Sequence, residues 1–191
     1  MNKLNAVAAI WRGRAVASKV RGAKAGFTIV ELLIVIVVIA ILAAITIVAF
    51  NGVQTRARNS KINEDLASLN KGAQLARIAA GNVTLMSVTG SNGTAANCEA
   101  KVNGTDLAAL PKTDGCWTSY AAALTAIYNA SGVDVRNLVD PWGRPYFMDE
   151  NEGEGSVCGA GKDNIGAYPQ PFVNGWGSTN TLQIPYSNPS C

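Results

Sequence analysis

A chain of 191 residues that is 48% hydrophobic holds much of its apolar content in one block, leaving a remainder sized for a single head of about 110 residues. The net charge of +3 belongs to residues 1–26, where Lys3, Arg12, Arg14, Lys19, Arg21 and Lys24 stand without an acid; ten basic against thirteen acidic groups remain beyond them, so a general nucleic-acid-binding surface loses its main support. With no histidine, the chain can build neither histidine-dependent triads nor histidine metal sites, and no nucleophile with a local base stands out.

Residues 27–50 form an apolar run of 24 residues, "FTIVELLIVIVVIAILAAITIVAF". As a helix rising about 1.5 Å per residue it spans roughly 36 Å, enough to cross a bilayer. The basic residues before it orient the leader toward the cytoplasm. A cleavable secretory signal has a shorter apolar core, about 7 to 15 residues, followed by its small-residue cleavage site. Here the run is longer and the small residue of "KAGF" precedes it. A plain signal anchor accounts for length and flanking charge but leaves Glu31 unexplained. A charge at such depth costs roughly 2.5 to 3.5 kcal/mol on insertion scales and marks a functional position.

The combination "G|FTIVE" with an uninterrupted span resembles the class III signal sequence of type IV pilins and pseudopilins. The resemblance implies a leader of residues 1–26 removed by a prepilin peptidase between Gly26 and Phe27, with N-methylation on the new Phe27 amine. It implies a filament-core helix over residues 27–50, and a Glu31 that neutralises the amine of a neighbouring subunit as helices bundle. An amine and a carboxylate brought together recover by attraction part of what each loses on leaving water. Other expected partners are further pilins in a homo-polymer, an assembly ATPase, a platform protein, and membrane lipid before assembly. The expected fold is α+β, the pilin fold: one long N-terminal helix packed on a small antiparallel sheet, with an additional short helix. Its expected place is the inner membrane as a single-pass precursor, then a filament outside the cytoplasm.

Over residues 51–82, Ile62, Leu66, Leu69, Ala73, Ala76 and Ala80 recur at helical spacing and predict an amphipathic continuation ending near Gly81 and Asn82. Arg56, Arg58, Lys61, Glu64, Asp65, Lys71 and Arg77 are expected to face mostly solvent. Asn51 and Gly52, weak helix formers, mark a soft spot. Ala40, Ala43, Ala44 and Ala49 in the span allow close helix approach.

Residues 83–191 form the predicted head. The Gly-, Asn-, Thr- and Ser-rich stretch 83–115, with "TGSNGTAAN", reads as a surface loop. Residues 117–132 predict a short helix capped at Thr118 or Ser119 and closed by Gly132. "VDPWGRPYFMDE" predicts a turn at Asp140 to Gly143 and a strand over 144–149. It resembles the DPWG-x-PY element of major pseudopilins of type II secretion, which implies anchoring roles for Trp142 and Tyr146. A last strand is expected over 181–186, in a sheet of three or four.

The four cysteines, Cys98, Cys116, Cys158 and Cys191, all follow the apolar run, and an even count in an exported head reads as disulfides. Pairing Cys98 with Cys116 and Cys158 with Cys191 closes loops locally; free thiols are the alternative. The acids Asp149, Glu150, Glu152 and Asp163 offer oxygen ligands of the kind calcium takes, and related pseudopilins bind calcium in such a loop, although no EF-hand spacing is present. No cofactor is otherwise required. The functions weighed are a structural pilin subunit, a pseudopilin of secretion or competence, and an anchored adhesion module presenting Tyr168, Phe172 and Trp176. An enzyme is not expected.

Overall fold

A computed structural model describes residues 26–91, 93–155, 158–159, 161–175, 177–187 and 191. The chain divides into two units, Met1–Ile47 and Val48–Cys191. Helix α1, Ile29–Ala79, supplies the regular structure of the first and the opening element of the second.

In the first unit the described side chains of α1 are exposed on every face, among them Leu32, Ile36, Ile39 and Leu42. A helix apolar all round has no solvated face, so its medium is lipid or other apolar helices. The segment is long and apolar enough to cross a membrane. Asn51 and Gly52 are helical, with no break at the expected soft spot.

In the second unit α1 buries one stripe. Ile62, Leu66, Leu69, Ala73 and Ala76 are at most 3% exposed, whereas Ala80 lies past the helix end and is exposed. The end is set by backbone geometry: Gly81 and Asn82 both adopt positive φ, and the Asn82 amide donates back to the Arg77 carbonyl at 2.8 Å. Gly72 sits where a Cβ would stand 3.1 Å from Ile127 and 3.4 Å from Val135, so the small residue permits the close packing there.

The stretch expected to be a surface loop is instead partly helical and buried. α2 (Leu85–Thr89) is capped by Thr84 and α3 (Thr94–Glu99) follows; Leu85, Thr89, Thr94, Ala95 and Cys98 are all buried. Turn-rich composition concealed two helices too short to show a period. α4, Gly115–Ser131, begins four residues earlier than a Thr118 cap would place it, because Asp114 accepts from the Cys116 amide at 2.9 Å. Gly132 closes it with φ 73°.

The sheet is an antiparallel meander of β1 (Phe147–Asp149), β2 (Asn164–Ala167) and β3 (Thr179–Gln183), in that spatial order. Met148 faces Ile165 across the first pair, and Ile165 faces Leu182 across the second. β1 is shorter than the expected 144–149 strand because residues 140–144 are held in a turn, and β3 starts two residues earlier than expected and ends at Gln183. Met148, Ile165 and Ile184 share one core with Ile62, Leu66 and Leu69 of α1 and with Tyr120, Leu124 and Ile127 of α4. Each fully buried Leu or Ile there contributes about 1.5–3 kcal/mol.

A second core joins Ala95, Leu107, Phe147, Tyr168 and Phe172 around the bonded Cys98–Cys116 pair. Tyr168 meets Phe147 at 5.7 Å and Phe172 at 5.5 Å, both edge to face. The expectation that Tyr168 and Phe172 form an exposed aromatic tip is therefore wrong: they are 1% and 2% exposed. Trp176 lies outside the described residues. Cys158 and Cys191 form the second disulfide.

Candidate functional site

Gly26, Phe27 and Thr28 precede α1 in no regular element, and Phe27 is 87% exposed. Immediately after them the chain closes a reciprocal cap. One carboxylate oxygen of Glu31 accepts from the Thr28 amide and from the Thr28 hydroxyl, each at 2.8 Å, while the Glu31 amide donates to Thr28 Oγ1 at 3.2 Å. This is a capping box, in which residues three apart satisfy each other's free donors at a helix start. The positive end of the helix dipole favours a carboxylate at this place. Sequence reading singled out Glu31 and missed Thr28, although the T-x-x-E spacing was the available sign.

The head anchors are built from polar groups that composition alone assigned to solvent. Asp65 is 7% exposed and accepts from the hydroxyl of Tyr146 at 2.6 Å as well as from Lys61. Burial, then the bond to Asp65, drives the Tyr146 phenol far above its usual range. Arg77, 4% exposed, pairs with Glu152 at 3.0 Å and donates to the Pro185 carbonyl at 2.6 Å, tying α1 to the chain after β3.

Arg144 went unremarked in the sequence and is the largest fully buried side chain among the described residues. Its guanidinium donates to Asp140 at 2.7 Å, to the Tyr168 and Pro169 carbonyls at 2.8 Å each, and to Gln170 Oε1 at 2.7 Å. Asp140 in turn accepts from the amides of Trp142 and Arg144, and Gly143, at φ 79°, completes the turn. Within the DPWGRPY stretch, Asp140, Arg144 and Tyr146 make the buried polar bonds, and Trp142 is half-buried beside Arg58 and Arg144.

The four acids considered for calcium take separate partners. Glu150 accepts from Thr89 and from the Gly93 amide, Glu152 from Arg77 and Ser187, and Asp149 from Asn151. Asp163 accepts from the Glu152 amide through Oδ1, and its buried Oδ2 has no partner among the described residues. No group of three or more acidic or cysteine side chains among the described residues is arranged to hold a metal. Desolvation pushes Asp163 up to about 6 and also raises Glu150 and Asp149. Glu99, whose Oε1 is likewise buried without a partner among the described residues, is pushed up to about 6 by burial.

No curated protein and no solved structure matches this chain. Residues 21–47 match the family described as the prokaryotic N-terminal methylation motif. That motif implies processing by prepilin peptidase and assembly with other pilins, and with the apolar N-terminal helix it fits a single-pass inner-membrane precursor later assembled into a surface filament. The family is a structural one with no enzymatic role. The matched motif covers residues 21–47 and, with the long apolar helix and the small antiparallel sheet, makes the chain similar to type IV pilins and pseudopilins in its N-terminal segment and α+β layout.

Proposed function

We propose that the chain is a structural subunit that, after cleavage between Gly26 and Phe27 and N-methylation of Phe27, polymerises into a type IV pilus-like filament outside the cytoplasm. The observation that carries this reading is Glu31, the one charged residue of the apolar segment 27–50, whose carboxylate has only Thr28 of its own chain as partner among the described residues. In a bundle, the Phe27 amine of a neighbour supplies the opposite charge that a lone carboxylate lacks in an apolar medium. A cytoplasmic ATPase and a platform protein drive the assembly. Glu31 acts as a register pin, because any stacking offset that separates it from an amine leaves two charges unpaired.

Mass spectrometry of sheared surface material tests the proposal. An abundant N-methylated peptide beginning at Phe27 is expected; mature protein that retains residues 1–26 overturns it. The DPWGRPY stretch favours a second reading, a secretion or competence pseudopilin using the same chemistry, and recovery of the methylated peptide from membranes alone would favour it.

A further inference from the structure

We infer that the head carries a binding cleft for a neutral, hydroxyl-rich ring, a hexose unit, between residues 104–106, 142–144 and 170–172. The cleft encloses about 270 Å³ and is lined by Thr105, Asp106, Trp142, Arg144, Gln170 and Phe172. That is just below the ~300–1,000 Å³ typical of small-molecule pockets. None of these residues belongs to the N-terminal assembly motif.

The walls are held before any ligand arrives. Arg144 fixes the Tyr168 and Pro169 carbonyls and the Gln170 side chain. The Gly104 amide donates to the Phe172 carbonyl at 2.8 Å and the Asn174 amide to Asn103 Oδ1 at 2.7 Å, joining two of the loops. A preorganised wall lowers the ordering cost of binding.

The groups left over define the ligand. A guanidinium can only donate, so Gln170 turns Oε1 to Arg144 and leaves its Nε2 donors without a partner among the described residues. Asp106 uses Oδ1 on the Ala108 amide and leaves Oδ2 unpartnered among the described residues. Trp142 adds half-buried apolar ring surface. A carboxylate and an amide beside an indole match a ring with hydroxyls around its edge and C–H groups on its face. Charge disfavours the alternatives: Arg144 spends four of its five N–H donors on the wall and Asp106 repels anions, while Arg58, 5.4 Å from the centre of the Trp142 ring, repels cations.

Saturation-transfer NMR on the full chain, held in zwitterionic micelles free of sugar-based detergent, tests the cleft with D-galactose, D-glucose, D-mannose and N-acetyl-D-galactosamine. At least one should receive transfer at its ring protons, with affinity falling about tenfold in Asp106→Ala and in Gln170→Ala. Both residues are exposed, and unchanged thermal melts of the variants will separate lost binding from lost folding. Absence of transfer to all four sugars, undiminished transfer in both folded variants, or transfer to choline in their place overturns the inference.

Discussion

The hydroxyl of Tyr146 donates to Asp65, a residue 81 positions earlier, at 2.6 Å. The bond joins the segment entering β1 to the buried stripe of α1, in a place where the phenol is fully buried and the carboxylate nearly so. Tyr146→Phe is expected to lower stability by about 1–2 kcal/mol, because Asp65 keeps Lys61 as a partner. Asp65→Ala should cost more, since it leaves a phenol buried without an acceptor. Chemical denaturation of the two variants beside the parent checks the order; equal losses would contradict it.

Arg144 makes four bonds from one guanidinium, and a lysine can reproduce neither the fork nor the number. Arg144→Lys should destabilise the head by about 3 kcal/mol, close to the loss expected when one partner of a buried ion pair is removed. A melting curve within a degree of the parent would show that the turn is held by something else.

Asp163 gives the head a pH dependence of definite sign. Its folded value of about 6 lies above the ordinary value of about 3.9. The folded state therefore binds the proton more tightly, and the resulting stability is complete below the unfolded value and lost as pH rises through about 6. Glu99, also pushed up to about 6, acts in the same direction. The head should melt higher at pH 5 than at pH 7.5, by on the order of 1 kcal/mol, and Asp163→Asn should flatten that slope. A melting temperature that climbs from pH 5 to 7.5 would contradict the assignment.

The capping box permits the charge of Glu31 to be separated from its hydrogen bonds. Gln at this position still reaches back to the Thr28 amide, so Glu31→Gln should preserve the helix start while removing the charge. Electron microscopy is expected to find the protein in membranes and no filaments. Filaments of normal number would mean that the cap, rather than the charge, is what assembly needs.

The Cys98–Cys116 bond closes a loop with a sequence separation of 18 and lies in the second core. Replacing both cysteines by serine should cost about 3 kcal/mol. Two-state denaturation of the double variant measures it, and an unchanged midpoint would contradict the expected contribution.

Local pattern was enough wherever neighbours along the chain settle the matter. Uninterrupted apolarity marks residues 27–50 as a span, spacing of three and four marks the buried face from Ile62 to Ala76, and Gly132 marks the end of α4. The same kind of pattern pointed to the N-terminal motif matched over residues 21–47, because that motif is contiguous. It did not disclose which polar groups are buried. Arg77, Asp65 and Arg144 look like solvated charges in a linear reading, and Tyr168 and Phe172 look like an aromatic tip. Only when the folded chain brings Glu152, Tyr146, Asp140 and the carbonyls of residues 168–169 against them does burial become favourable. A side chain's partner across 75 or 81 positions is fixed by packing, and no periodicity of the chain carries that information.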